Sequence, residues 1–372
     1  MLEIQKFLRK FNYIPNGSVS SEFIFSELEK AYAIKASVHS KYSNLVLFKY
    51  NQIESPFSEQ IVRECRGIIL DMNNDWSIVS FPFMKFFNYG EGHAATIDWN
   101  NAVVQEKLDG SLITLYVYDN MWHVATSGTP DAKGNVNGFD FSFAELFWEA
   151  FEKTDSNLPP LDCNKCFMFE LMSPYNKIVV RHDKLKISLL GGRDLNSNIE
   201  FSAVEASKHF TNIAPVKEFS FKNVDEILSS FPDLNPIGQE GYVVVSVDNN
   251  LFNRIKLKSP AYVALHHMKD GLSSKKSLVT VVLNGEIDEV CTAFPEYRYE
   301  LLVLKQKINE LVLMTEEEYK KITHIPVQKD FALLAVKTKV PGALFALRSG
   351  KAKSVHSYFC NMNIDNFITL IG

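Results

Sequence analysis

Short segments rich in β-branched and aromatic residues fill residues 44–260, and they constrain the fold more than any other feature. Most are bounded by Asn, Asp, Gly or Pro, which is typical of strands in a mixed or antiparallel sheet. Asp119-Asn120, between two such segments, predicts a hairpin turn. Helical patterns interrupt the strands at 141–153 and 224–231, so we expect an α+β domain. The predicted strands are 45–50, 67–71, 77–81, 111–118, 122–126, 166–171, 185–190 and 241–247.

The pattern changes after about residue 265. Apolar residues recur at helical spacing in 277–283, 297–313 and 315–322, and Thr315 followed by three glutamates is typical of a helix N-terminus. Shorter helical segments are expected at 331–347 and 355–370, with breaks at Pro341-Gly342 and Ser349-Gly350. We therefore predict two domains. Residues 1–265 form the first, which includes an N-terminal extension, and residues 266–372 form a mostly helical second domain.

The net charge of −5 over 372 residues does not suggest a nucleic-acid binder, but the charge is unevenly distributed. Residues 284–318 hold 9 acids and 3 bases. Residues 319–353, the basic segment, hold 8 bases and one acid. Such a run is often only a solvated face. The alternative is a phosphate-binding face, which would make 266–372 an RNA-binding domain. The eight bases are Lys320, Lys321, Lys329, Lys337, Lys339, Arg348, Lys351 and Lys353.

The cysteines and the apolar runs indicate the compartment. Five cysteines in a chain of this length do not make a disulfide framework, and Cys163 and Cys166 form a lone C-x-x-C that we interpret as structural. The N-terminus has no signal-peptide pattern, and the apolar runs are far shorter than the roughly 20 residues of a membrane span. We expect no membrane partner and a cytoplasmic location, in the host cytoplasm if the protein is viral.

The sharpest local feature is Glu106-Lys107-Leu108-Asp109-Gly110, which precedes the predicted strand 111–118. A lysine before Asp-Gly presents an amine in a tight turn that a phosphate can approach closely, because glycine has no side chain. Lysine acts as a nucleophile when burial or a neighbouring cation lowers its pKa. Taken alone, the same residues are compatible with an ordinary β-turn and a solvent-facing lysine.

Three further features favour the nucleophile. Glu170 ends an apolar strand, and Glu240 stands at the mouth of another. Lys256 and Lys258 share one strand face, where two like charges call for an anion. Each feature alone could be an ordinary strand-end residue or a solvated edge strand. Together they supply the nucleophile, the carboxylate for a ribose, the carboxylate for a metal and the cation pair for an α-phosphate that covalent nucleotidyl transfer needs.

In this arrangement the sequence resembles the covalent nucleotidyltransferase superfamily of ATP-dependent ligases and mRNA-capping enzymes. Three more blocks make it similar to the phage-type RNA ligase 1 family in particular: ECRGIIL at 64–70, FPFMKFFN at 81–88 and SPYNKIV at 173–179. The resemblance covers roughly residues 60–265. It implies a mixed or antiparallel-sheet nucleotidyltransferase domain, of the ATP-grasp-like ligase type, before the helical domain.

The resemblance also implies a role for each matching residue. Lys107 would carry AMP as the catalytic nucleophile, and the catalytic pair Lys256 and Lys258 would neutralise the α-phosphate. Glu170 would hold the ribose hydroxyls, and Glu240 would help to coordinate Mg²⁺ or Mn²⁺. The remaining residues expected to bind ATP are Arg66 and Lys85 at the β- and γ-phosphates, Phe87 near the adenine, Glu106, Asp109 and Gly110 at the turn, and Val243 on the strand after Glu240.

The implied enzyme joins 5′-phosphate and 3′-hydroxyl RNA ends through a lysyl-AMP intermediate and an adenylated RNA end, in RNA or tRNA repair. Its partners would be such RNA ends, nicked tRNA among them, and a kinase/phosphatase that heals the ends. Three alternatives stay open. They are a GTP-using capping-type guanylyltransferase, a DNA ligase on the same fold, and an RNA-binding module without catalysis.

The chain departs from the family pattern at one place. Family members often carry bases in the strand after the first hairpin, but here that strand reads Ala125-Thr126-Ser127-Gly128. The nearest lysine along the chain is Lys133. The contact that this strand would make with the nucleotide or with RNA is therefore in question.

Overall fold

The computed structural model describes residues 1–13, 20–176, 180, 182–235, 238–267 and 274–372. The last three residues of the SPYNKIV block lie outside these ranges. In the described chain the strands are β1 (Ile34–Val38), β2 (Leu45–Tyr50), β3 (Arg66–Asp71), β4 (Ser77–Ser80), β5 (Phe87–Asn88), β6 (Val103–Lys107), β7 (Ser111–Tyr118), β8 (Met121–Thr126), β9 (Lys165–Met172), β10 (Lys186–Asp194), β11 (Glu200–Phe201), β12 (Glu218–Phe219), β13 (Gly241–Asp248) and β14 (Leu251–Lys258).

The strands form three sheets. The N-terminal sheet has the order β1-β2-β3-β4, and the central sheet has the order β11-β10-β9-β7-β8. The third sheet, β12-β6-β13-β14-β5, is mixed because β14 and β5 run parallel. These orders confirm the predicted mixed and antiparallel arrangement. The predicted hairpin is confirmed as well, because Asp119 and Asn120 join β7 to β8 with φ of 50° and 54°.

Alternation along β2 explains how the first two sheets pack. Leu45 and Leu47 point to one side and pack in a core shared with the central sheet, which includes the buried Cys166. Val46 and Phe48 point to the other side, toward the N-terminal helices. The central sheet in turn buries its far face under helices. The helices of this part are α1 (Glu3–Arg9), α2 (Ser21–Tyr32), α3 (Gln60–Glu64), α4 (Phe143–Glu152), α5 (Ala203–Ser207), α6 (Val224–Ser230) and α7 (Pro260–His267).

Internal contacts divide the chain into two compact units, residues 1–262 and 263–372. The boundary expected from the sequence lies after residue 265. The described part of the second unit is helical after α7, as expected. Its helices are α8 (Lys275–Leu283), α9 (Ile287–Ala293), α10 (Arg298–Ile322), α11 (Gln328–Ala335), α12 (Pro341–Arg348), α13 (Val355–Cys360) and α14 (Ile364–Ile371).

Two helix predictions in this unit were wrong. Thr315 does not begin a helix. It is buried within α10, and its hydroxyl donates to the Leu311 carbonyl at 2.8 Å, so the segments predicted as two helices are one. The predicted segment 355–370 is two helices, because Asn363 caps the start of α14 with its side chain. No helix in the described ranges is long and apolar enough to cross a membrane.

Candidate active site

The turn after Lys107 carries the chain from one sheet to another. Lys107 ends β6 in the third sheet, and Ser111 begins β7 in the central sheet. Gly110 is required in this turn, because a Cβ there would lie 2.5 Å from the Leu171 carbonyl oxygen. The Lys107 side chain is therefore held at the seam between two sheets, in a turn that packs against the backbone of β9.

Asp109 fastens this turn to the segment that follows β9. Its buried carboxylate accepts a hydrogen bond from the Val180 backbone N–H at 2.7 Å. The Asp109 carbonyl lies 2.6 Å from Nε2 of His182. Two contacts on one residue hold the lysine-bearing turn in place, so Asp109 acts on the shape of the turn.

Strand register brings Lys107, Glu240 and Lys258 together. Gly241, the first residue of β13, pairs with Lys107 on one side and with Lys258 on the other. The preceding residue, Glu240, is 3% exposed; it accepts a hydrogen bond from Lys107 Nζ at 2.6 Å and forms an ion pair with Lys258 Nζ at 3.2 Å. One carboxylate thus holds two ammonium groups at the mouth of β13.

Glu240 itself lines a smaller adjoining cavity, and the two lysines beside it line a cavity of about 520 Å³ in the first unit. Val243 and Lys256, which pair with each other across β13 and β14, line it together with Lys107 and Lys258. Glu106 lines both this cavity and an adjoining one of about 360 Å³. The cavity therefore gathers a candidate nucleophile and two further lysines on one side.

Glu170 lies in the wall of the same cavity, on β9. Burial raises the pKa of its carboxyl to about 8, against the opposing effect of the nearby Lys107, and the neighbouring Glu240 raises it further. A carboxyl of this kind is protonated at neutral pH and can donate a hydrogen bond to a ligand hydroxyl as well as accept one.

Arg66 lines the cavity from the start of β3, with its guanidinium 5.3 Å from the Phe86 ring. The structure does not bring Lys85 and Phe87 to the same place. Both line an adjoining cavity of about 160 Å³, which shares Phe86 with the main one, and there Lys85 Nζ lies 5.3 Å from the Phe87 ring. Of these three neighbours, Phe86 alone also lines the main cavity. The phosphate and adenine roles of Lys85 and Phe87 stay predictions.

Sequence reasoning did not single out several cavity residues. Lys49 reaches it from β2, and Arg254 reaches it from β14, on the same strand face as Lys256. Arg254 is buried and forms an ion pair with Glu200. A lysine inside the otherwise apolar run LVLFKY was the available signal for Lys49. Nothing local marked Arg254, because its partner Glu200 is remote in sequence.

A family model described as RNA ligase matches residues 64–262. The chain belongs to this family of RNA ligases. The predicted family and the predicted class of enzyme are thereby confirmed. Membership favours an RNA-joining enzyme over the capping-type, DNA-ligase and non-catalytic alternatives.

Two relatives illustrate the similarity. The RNA ligase of Rhodothermus phage RM378 is 26% identical over 338 residues, which cover 74% of this chain and 76% of that protein. A protein of Autographa californica nuclear polyhedrosis virus, described as a bifunctional polynucleotide kinase/RNA ligase, is 29% identical over 275 residues. That match covers 68% of this chain but only 38% of the viral protein.

Solved structures give more distant matches. An archaeal ATP-dependent RNA ligase superposes over 82% of this chain and 78% of its own, with 14% identity and a TM-score of 0.45. A Naegleria gruberi RNA ligase superposes over 45% of this chain and 51% of its own, with 16% identity and a TM-score of 0.33.

Proposed function

We propose that this ligase uses ATP and that Lys107 carries the AMP. The observation that carries the proposal is the position of Lys107 Nζ, 2.6 Å from the Glu240 carboxylate and facing a cavity that Lys256, Lys258 and Glu170 also line. An amine, two further cations and a buried carboxyl around one cavity are the groups that nucleotidyl transfer requires.

In the first step the Lys107 amine attacks the α-phosphorus of ATP. The N–P bond forms, the bond from the α-phosphorus to the α–β bridging oxygen breaks, and pyrophosphate leaves with the electron pair. The ammonium form of Lys107 must lose a proton before it attacks, and the Glu240 carboxylate is the acceptor that already bonds to it. Lys256 and Lys258 would offset the charge that develops on the α-phosphate oxygens.

Two transfers follow. A 5′-phosphate oxygen of RNA attacks the same phosphorus and displaces the Lys107 nitrogen, which takes up a proton. A 3′-hydroxyl oxygen then attacks the 5′-phosphorus of the adenylated end, loses its proton, and expels AMP as the new phosphodiester bond forms. The protein contributes positioning and charge stabilisation in each step.

The donor set fits a divalent metal that arrives with the triphosphate. Within the ranges described, no group of three or more His, Cys, Asp or Glu side chains is placed to hold a metal by itself. Mg²⁺ is commonly held by one or two carboxylates together with substrate phosphates and water. Glu240 could supply that carboxylate for Mg²⁺ or Mn²⁺, provided that it releases one of its two ammonium partners.

RNA carrying a 5′-phosphate and a 3′-hydroxyl is the proposed substrate, with nicked tRNA as one source of such ends. The baculovirus relative is described as a polynucleotide kinase joined to a ligase, and this chain spans 38% of it. That description supports an end-healing kinase as a functional partner of this chain, and we propose the cytoplasm as the place of the reaction. Residues 266–372 would hold the RNA through the basic segment.

Mass spectrometry after incubation with ATP and Mg²⁺ tests the proposal. We expect the chain to gain the mass of AMP, with the modified peptide containing Lys107. GTP should give no adduct, and Lys107→Ala should give none while it keeps its fold. The wild-type adduct should be consumed when 5′-phosphate RNA is added. A wild-type chain that gains no AMP, or a Lys107→Ala chain that still gains it, would show the proposal to be wrong.

A further inference from the structure

Three cations lie in a row across the N-terminal sheet. Lys35 on β1 pairs with Lys49 on β2, and Lys49 pairs with Arg66 on β3. Residues paired across antiparallel strands point to the same face, where like charges repel. Lys35 is exposed at the edge of the sheet, whereas Lys49 and Arg66 reach into the main cavity. A row of this kind is costly unless an anion occupies its inner end.

A bulge at Gly67 creates the pairing of Lys49 with Arg66. Phe48 pairs with Ile68, and the next residue, Lys49, pairs with Arg66, so Gly67 is the extra residue. Gly67 has φ of +94°, and a Cβ on it would lie 3.1 Å from the Cα of Ser127. The bulge therefore places Lys49 and Arg66 opposite each other and against the end of β8.

Lys49 contacts the end of β8, where the sequence Ala125–Gly128 lacks the basic residue that family members often carry. Lys49 Nζ lies 3.4 Å from the Ser127 hydroxyl, and a Cβ on Gly128 would lie 3.6 Å from the same nitrogen. Burial lowers the pKa of Lys49, and the neighbouring Arg66 and Lys35 lower it further. The ammonium thus occupies the space beside Ala125–Gly128 from another strand.

The cations at this end of the cavity form no ion pair in the described chain, although Glu170 lies close enough to Arg66 for their charges to interact. Among the residues that the structure describes, neither Lys49 nor Arg66 has an Asp or Glu within salt-bridge distance. Nη1 of Arg66 is buried and has no hydrogen-bond partner in the same set. A buried guanidinium nitrogen without a partner is unfavourable, so the pair is suited to an anionic ligand with several oxygens.

We propose that Lys49 is a substrate-binding residue that, together with Arg66, holds the β- and γ-phosphates of ATP and the departing pyrophosphate, in place of the base missing from Ala125–Gly128. The proposal rests on the function proposed above and adds a residue to it. Lys49 forms no covalent bond. Its N–H groups donate to the phosphate oxygens, which gain charge as the α–β bridge breaks.

The two chemical steps separate this role from a structural one. Formation of the Lys107 adduct from ATP needs the β- and γ-phosphates, whereas sealing of a pre-adenylated RNA does not. We expect Lys49→Gln to slow adduct formation at low ATP by about 10- to 100-fold, the size of one lost hydrogen bond to a charged group. Sealing of pre-adenylated RNA should change by less than about threefold. Lys49→Arg should form the adduct faster than Lys49→Gln, because it keeps the positive charge.

Lys133→Gln is the matched control. It removes the same charge from an exposed lysine outside the cavity, whose Nζ bonds to the Ser40 hydroxyl at 2.6 Å. It should leave both steps unchanged. The double variant Lys49→Ser with Ser127→Lys moves the ammonium to the neighbouring strand, and it should recover most of the adduct formation that Lys49→Ser alone loses.

The outcomes distinguish this proposal from the one on which it rests. If the wild-type chain forms no AMP adduct, both proposals fall. If it does, and Lys49→Gln forms the adduct at the wild-type rate, only the role of Lys49 falls. Equal losses in both steps, or a double variant no better than Lys49→Ser, would show that Lys49 supports the fold and does not bind phosphate.

Discussion

The charge state of Glu170 depends on the fold. Burial raises the pKa of its carboxyl from an ordinary value of 4.5 to about 8. A carboxyl with a raised pKa binds its proton more tightly in the folded chain than in the unfolded chain. Its contribution to stability is therefore fully present below about pH 4.5 and is lost as the pH rises through about 8.

We expect this loss to disappear in Glu170→Gln, which keeps the shape and cannot ionise. Between about pH 5 and about pH 9, the free energy of unfolding of the wild-type chain should fall by more than about 1 kcal/mol relative to that of the variant. Urea denaturation of both proteins without nucleotide measures the difference, and contributions from other groups cancel. Parallel pH profiles would contradict the raised pKa.

We expect Lys256 to affect both adduct formation and the sealing of adenylated RNA, whereas Lys49 should affect only adduct formation. It lines the cavity on the same strand face as Lys258, on the side of Lys107, where the AMP phosphate is proposed to lie. Because that phosphate carries charge both when Lys107 is adenylated and when AMP is expelled, Lys256→Ala should slow both steps by about tenfold or more. Single-turnover assays with ATP and with pre-adenylated RNA measure them separately. Lys222→Ala, an exposed lysine outside the cavity, serves as the control. A normal rate in either assay would contradict the assignment.

The sequence alone was enough to predict site residues that belong to a short local motif. Lys107 ends β6 and Glu240 precedes β13, so their residue types and order could be interpreted without a structure. Glu170 was expected to end its strand but lies within β9, which continues to Met172. Lys49 could not be found in this way, because the residue it contacts, Ser127, is 78 positions away. Which of the neighbours Lys85, Phe86 and Phe87 faces the cavity also depended on strand pairing that the sequence alone does not specify.

The β13–β14 hairpin leaves no room for a side chain at its first residue, Gly241. Gly241 has φ of +152°, and a Cβ there would lie 2.1 Å from the Leu257 carbonyl oxygen and 2.8 Å from the Lys258 Cα. Both are backbone atoms, so the clash can be relieved only if the strands separate. Glu240 and Lys258 flank this contact, and their ion pair depends on it.

Gly241→Ala should therefore lower the free energy of unfolding by about 3 kcal/mol and also reduce adduct formation. Chemical denaturation and the AMP mass shift measure the two effects. Gly92→Ala is the matched control, because a Cβ on Gly92 would meet no atom within 4 Å. A Gly241→Ala chain as stable as Gly92→Ala would show that the hairpin has more freedom than its geometry indicates.

Helices and strands could be predicted from the sequence where apolar residues recur with a clear helical or strand period. In the first unit, successive residues of a strand such as β2 point alternately into two different hydrophobic cores, and this alternation is visible in the local sequence. The helix break expected at Thr315 was wrong. A threonine can cap the start of a helix, but within a helix its hydroxyl can also bond to a carbonyl of the preceding turn, and the local sequence does not distinguish the two. Only the surrounding packing, in which Thr315 is fully buried, distinguishes them.

At the scale of the molecule, the basic segment is less uniform than its composition indicates. The side chain of Arg348 donates to the Ile325 and Pro326 carbonyls at 2.8 and 3.0 Å, and its guanidinium lies 4.2 Å from the Phe331 ring. Arg348 therefore stabilises the second unit. The seven lysines of the segment are exposed, so any binding of phosphate there would depend on them.

Changing Lys337, Lys339, Lys351 and Lys353 to Glu should weaken RNA binding without slowing formation of the Lys107 adduct. The dependence of affinity on salt should become shallower by roughly 0.7 in log–log slope for each phosphate of single-stranded RNA that the variant no longer neutralises. Titrations at two salt concentrations measure this, and adduct formation serves as the internal control. Equal affinity and slope in variant and wild type would indicate that the lysines are only a solvated face.

The contact between Lys49 and Ser127 has a consequence for how such a chain can change over time. The two side chains come from strands far apart in sequence, yet they compete for one small volume. A positive charge there can be encoded on either strand. A chain with lysine at both positions would hold two like charges in that volume, where they repel, and a chain with neither would keep only Arg66 on this side of the cavity. Exchange of the charge between the strands by single substitutions therefore passes through an unfavourable intermediate in either order.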